Sequence, residues 1–135
     1  MIKLSLPLSV AIPRKTKGDR IVTLNLNTFR NLHHMIANSA KREWVKVVAD
    51  AVGYQTHLPE PPYLFTYTVF PSSNRKFDLG NVLPAIQKYT DDALIELGWL
   101  KDDSYKHISA INYRFGTVDP ENPRVELEIA SWGDE

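Results

Sequence analysis

The chain has 135 residues, 43% of them hydrophobic and 24% charged, and its 16 basic and 16 acidic residues leave no net charge. That length supports one α/β domain with its own core and is too short for two comfortable ones, while the absence of cysteine excludes a disulfide framework and thiolate zinc sites. No apolar run approaches a membrane span, and Met1-Ile2-Lys3, followed by Pro7 and Pro13, lacks the pattern of a signal peptide, so the expected location is cytoplasmic, with no membrane partner.

Residues 2–12 read as an apolar strand interrupted by proline, 15–19 as a basic turn around Gly18, and 21–26 as a second short strand or extended segment. Asn27 or Thr28 then caps a helix. Its apolar positions, Phe29, Leu32, Ile36, Ala40, Trp44, Val47, Val48 and Ala51, recur every three or four residues up to Val52, with Gly53 as the stop. Pro59-Glu60-Pro61-Pro62 is a stiff connector. Residues 63–70, rich in aromatic and β-branched side chains, read as a central strand, and 71–77 as a polar loop. From Gly80 to Leu97 the residues Val82, Leu83, Ile86, Thr90, Ala93, Leu94 and Leu97 form one face of a second helix that ends at Gly98. Residues 105–115 and 124–130 close the chain as two strands joined by a hairpin loop at 119–123.

The zero net charge conceals a division. Residues 1–77 hold 11 basic and 4 acidic residues, a balance of +7, which residues 78–135 offset with −7. Such a division suits a protein that grips a polyanion with one surface and holds cations with another; it equally suits two halves that pair with each other. The basic groups are Arg14, Lys15, Lys17 and Arg20 in a flexible stretch, Lys41, Arg42 and Lys46 on the first helix, and Arg75-Lys76 just before Asp78. They match contacts to a phosphate backbone, or a solvated face.

The acidic candidates flank the second helix: Asp78 at its mouth and Asp102-Asp103 in the loop that follows it. At about 100° per residue, Asn81, Lys88 and Asp92 share a narrow arc of that helix, opposite its apolar side. Carboxylates, an amide and a lysine near one spot suit Mg²⁺ and a phosphate, since Mg²⁺ takes oxygen ligands and keeps several waters. Asp78 also has an ordinary use as a helix cap, and Asp102-Asp103 as a turn. His33 and His34 point about 100° apart on the helix and do not form a metal pair. His57 lies among prolines, and His107 begins a strand beside the acidic loop. No glycine-rich phosphate loop, nucleophile elbow or dinucleotide fingerprint is present.

Arg75-Lys76-Phe77-Asp78-Leu79-Gly80-Asn81, and the run from Asp92-Ala93-Leu94 through Trp99-Leu100-Lys101 to Asp102-Asp103, resemble the RusA family of Holliday junction resolvases, small endonucleases of phages and prophages. Val125-Glu126-Leu127-Glu128-Ile129 is similar to that family's terminal strand. The resemblance implies a compact single domain over residues 1–135 with a mixed sheet and two main helices. It also implies a homodimer that cuts four-way DNA junctions with Mg²⁺ or Mn²⁺. Asp78 and Asp103 match the family's metal-binding aspartates, Asp102 the first member of its Asp-Asp pair, and Asn81 the asparagine after its second aspartate. Gly80 stands where the other catalytic aspartate belongs, and Pro84 where the helix lysine belongs, with Lys88 one turn on as a substitute ammonium. Two further readings stay open: a catalytically weakened or inactive branched-DNA-binding protein of the same fold, and an interaction protein that docks a partner through Ile95, Trp99 and Trp132.

Overall fold

Alternating apolar residues place the strands, and the computed structural model, which describes residues 1–55, 58–75 and 78–133, shows where each goes. The elements are β1 (Ile2–Leu6), β2 (Ser9–Ile12), β3 (Arg20–Thr23), α1 (Leu26–Asn31), α2 (His34–Val52), β4 (Tyr63–Phe70), α3 (Leu79–Glu96), β5 (Ile108–Phe115) and β6 (Arg124–Ser131). Four strands form a mixed sheet in the order β1-β6-β4-β5, in which only the β4–β5 pair is parallel. β2 and β3 form a separate antiparallel hairpin.

Helices α2 and α3 pack side by side on the sheet, α2 over β1 and α3 over β4 and β5. Between them lies one core, in which Leu4, Trp44, Phe65, Ile86 and Leu127 are fully buried. The core face of α2 is Ala40, Trp44, Val48 and Val52, at the helical spacing that the sequence shows. Among the described residues no helix is long and apolar enough to cross a membrane.

Three expectations need correction. The apolar stretch 2–12 is two strands in two different sheets, parted at Pro7, whose fixed φ and missing N–H break the ladder. The first long helix is two helices: Leu32 and His33 are extended, and the caps are Asn25, whose side chain accepts from the Thr28 N–H, and His33, whose Nδ1 accepts from the Met35 N–H. His33 therefore stands outside the helix as a cap. The last two strands are not a hairpin, because β4 lies between them. Their connection instead crosses the end of β4, where the Gly116 and Asp119 N–H groups donate to the carbonyls of Val69 and Pro71. Only glycine fits at 116, since a Cβ there would meet the Phe70 ring at 2.6 Å. Arg124 locks this crossing, donating to Asp119 at 2.8 Å and Glu126 at 2.9 Å with its guanidinium over the Phe70 ring. The remaining bounds shift by a few residues: α3 begins at Leu79, and β5 only at Ile108, after a turn through Ser104–His107.

The two main helices are joined by a buried polar bond as well as by apolar packing. Trp44 Nε1 donates to Thr90 Oγ1 at 3.1 Å, with both residues fully buried. Thr90→Val keeps the volume and strands that N–H, so it is expected to destabilise the fold by about 1–3 kcal/mol in urea unfolding with unchanged helix content. A loss near zero would show that the bond carries no net stability.

Candidate functional site

Asp78 is the N-cap of α3, its Oδ1 accepting from the Gly80 N–H at 2.9 Å. The second carboxylate oxygen has no partner among the described residues. Beside it, Asn81 Oδ1 accepts from the Asn27 N–H at 3.2 Å, so Asn81 caps the short helix α1 and keeps its amide NH₂ free to donate. Phe29 stacks on Tyr89 with ring centroids 4.7 Å apart, a second point at which α1 is fixed to α3. Two adjoining cavities, of about 250 and 290 Å³, open here and share Asp78 and Asn81. The first is walled by Leu8, Thr23 and Leu24 at the base of the β2–β3 hairpin, the second by Asn27, Arg30 and Gly80.

The other acidic group lies at the far end of α3. Asp102 Oδ1 accepts from the Ser104 N–H at 2.8 Å and lies 3.0 Å from His107 Nδ1. Hydrogen bonds from Ser104, with a smaller contribution from His107, lower the Asp102 carboxyl to about 2. Asp103 is exposed and has no hydrogen bond or ion pair among the described residues. His107 is thus a neighbour of the acidic loop and pairs with Asp102 in it. Two more cavities, of about 400 and 310 Å³, flank this end and share Pro61, Tyr63, Gly98 and Trp99.

Within the chain the two acidic groups stay apart. The 18 residues of α3 span about 27 Å, and among the described residues no three His, Asp or Glu side chains are grouped closely enough to hold a metal ion. The arc of Asn81, Lys88 and Asp92 exists, but its members serve different neighbours. Asp92 lies 3.6 Å from Lys41 and 3.4 Å from Lys88, and Lys41 also sits over the Tyr89 ring. Lys88 is seven residues along the helix from Asn81, about 10 Å.

The basic residues divide in the same way. Arg14 folds back on its own turn, donating to the carbonyls of Gly18 and Lys17, while Lys15, Lys17 and Arg20 are exposed around it. Arg42 donates to Ser39, Lys46 pairs with Glu43, and Arg75 is exposed in the loop before α3. Lys76, Phe77 and His57 lie outside the described residues.

One charged group was not legible in the sequence. Asp91 is buried on the inner face of α3, where the periodicity indicates an apolar side chain. Its Oδ2 lies 3.5 Å from Gln87 Nε2, and Gln87 accepts in turn from the Tyr113 hydroxyl on β5. Asp91 Oδ1 and the Tyr67 hydroxyl are buried with no partner among the described residues. Burial above all, with help from Asp103 and Asp92, raises the Asp91 carboxyl to about 7, and burial likewise raises Tyr67. The helical spacing would have exposed this residue only if the hydrophobic face had been read for polar intruders.

No family model and no curated protein gives a significant match to this chain.

The Asp91 shift makes a stability prediction. Below the ordinary value of 3.8 the carboxyl is protonated in both states and contributes no pH dependence. Between 3.8 and about 7 the unfolded chain gives up the proton first, so stability falls by up to about 1.4 kcal/mol per pH unit, and above that window the loss is constant. Asp91→Asn is expected to remove this fall, matching the parent near pH 4 and exceeding it near pH 8 by a few kcal/mol. Urea midpoints across that range check it; parallel curves for the two proteins would exclude Asp91 as the group.

Proposed function

We propose that the chain is a RusA-type endonuclease, acting as a homodimer on four-way DNA junctions with Mg²⁺ or Mn²⁺. The observation that carries the reading is the placement of two sets of carboxylates, Asp78 and Asp102-Asp103, at opposite ends of one helix, each with oxygens not used by the fold. A two-fold axis that lays the two α3 helices antiparallel brings the Asp78 end of one protomer to the Asp102-Asp103 end of its partner. Each dimer then has two composite sites related by the symmetry that relates the two strands to be cut.

The donor set fits a hard divalent cation, being carboxylate oxygen without sulfur or imidazole at the Asp78 end. Such an ion, when bound, neutralises phosphate charge and lowers the pKa of water. Asp78 and Asp103 are the residues that hold it. Asp102, kept ionised by Ser104 and His107, adds negative charge at the same place. The Asn81 amide, its oxygen already committed to α1, offers N–H donors to a phosphate oxygen. Asp92 stands outside this set, because its carboxylate lies between two lysine ammonium groups. The exposed Arg14–Arg20 turn and Arg75 supply contacts to the DNA backbone that do not depend on base sequence.

A second reading, branched-DNA binding without cleavage, is favoured by Gly80, which leaves the Asp78 end with one carboxylate where the family has two. The substitution Gly80→Asp distinguishes them. A Cβ at position 80 would meet only Asp78 Oδ1, at 3.3 Å, a contact that a small adjustment of that carboxylate relieves with the cap kept. The variant is expected to fold normally and to bind Mn²⁺ on the order of tenfold more tightly, with faster cutting of a labelled four-way junction.

The dimer has its own test in mixed variants. Asp78→Asn and Asp103→Asn are each expected to lose cleavage, yet after mixing and subunit exchange each heterodimer regains one intact composite site. Cleavage should then return to about a quarter of the parent rate, mostly as single-strand nicks. No recovery, with heterodimers shown to form, would refute the composite site. Junction binding by the parent with no cleavage under either metal would establish the second reading.

A further inference from the structure

Among the described residues, Arg30 is the only cationic side chain that lines either cavity at Asp78, and it makes no hydrogen bond or ion pair there. Its position is fixed by the fold, since its neighbours Asn27 and Phe29 are the two points at which α1 is held to α3. An exposed arginine on a six-residue helix would ordinarily point anywhere; here the pinned helix sets its stem at the wall of a cavity of about 290 Å³ whose other polar members are Asn27, Asp78 and Asn81. Asp78 and Arg30 both line that cavity without a salt bridge between them, so neither charge is neutralised by the other.

We propose that Arg30 is the phosphate-binding side chain of the Asp78 cleft, taking a DNA phosphodiester between its guanidinium and the Asn81 amide. The inference rests on the endonuclease reading and names the group that neutralises phosphate charge in it. Pro84 fills the place where the resemblance calls for a lysine. Lys88, the substitute that spacing suggests, has its ammonium 3.4 Å from Asp92 and lies further along the helix. Lys41 is shared between Asp92 and Tyr89, and Lys46 is paired with Glu43. Arg30 lines the same cavity as Asp78 and has no ion pair with it, so its guanidinium is free to take a phosphate oxygen. A guanidinium suits that task because its parallel N–H groups match two phosphate oxygens at once.

The test uses the full chain with a labelled four-way junction, first without divalent metal and then with Mg²⁺ or Mn²⁺. Arg30→Ala is expected to weaken metal-free junction binding about tenfold and to reduce the slope of log affinity against log salt by about one for each engaged phosphate, between about 50 and 200 mM salt. Cleavage should fall roughly 100-fold. Mn²⁺ affinity measured by electron paramagnetic resonance should hold or rise, which a collapse of the cleft would not produce. Arg30→Lys should recover the salt slope and only part of the cleavage, since an ammonium does not make the paired contact. Should Arg30→Ala prove unstable to heat, Arg30→Gln and Arg30→Lys carry the same comparison. The parent's salt slope retained in the Ala or Gln variant overturns the assignment. If Asp78→Asn cuts like the parent, the metal site fails, and Arg30 still stands or falls on the salt slope. No junction affinity in the parent at low salt overturns both.

Discussion

The inner face of α3 is the constraint on which the rest of the molecule depends. Val82, Leu83, Ile86, Ala93 and Leu94 bury that face against β4, β5 and α2. The Trp44–Thr90 bond, the Phe29–Tyr89 stack and the Asn81 cap on α1 all attach neighbouring elements to the same helix. Because its buried side is continuous from Val82 to Leu94, α3 stays in place over its whole length, and that length sets the distance between the two acidic ends. As built, the carboxylates at the two ends do not form one cluster among the described residues.

The same face has an unfavourable component. Asp91 places a carboxyl in the core with one oxygen unpartnered among the described residues, near the Tyr67 hydroxyl, which is likewise unpartnered among them. Burial of such groups weakens a fold unless the charge is suppressed, and the rise of the Asp91 carboxyl to about 7 is that suppression. The network Asp91–Gln87–Tyr113 joins the inside of α3 to edge strand β5, while Asp103 contributes to the Asp91 shift from the adjoining loop. The acidic loop and the core beneath it are therefore electrically linked, and charge at one is felt at the other.

Much of this was legible before the structure. β4 follows from its run of aromatic and β-branched residues, β6 from a period of two, and α2 from Ile36 onward and α3 from a period of about 3.6, while Asp78 as a cap follows from its place before an apolar helical run. The break at Leu32-His33 was not legible, because Phe29, Leu32 and Ile36 keep a helical spacing across it; only the outer contacts of α1, with Asn81 and Tyr89, favour a short helix followed by a long one over a single helix. Arg30 was not legible either. Nothing in its neighbours marks it, and the cavity it faces is made by residues some fifty positions away.

Local sequence decided the elements, their amphipathic faces and the presence of carboxylates at both ends of one helix, since helix periodicity, caps and proline breaks act over a few residues. Tertiary structure decided the strand order that puts β4 between β5 and β6, the burial of Asp91, the salt bridges that occupy Lys41, Lys88 and Asp92, and the cleft that sets Arg30 beside Asp78. Those outcomes depend on which distant segments touch, and on which polar groups lose water when they do. The acidic residues could be named from the chain alone, whereas their separation along α3 came from the packed fold.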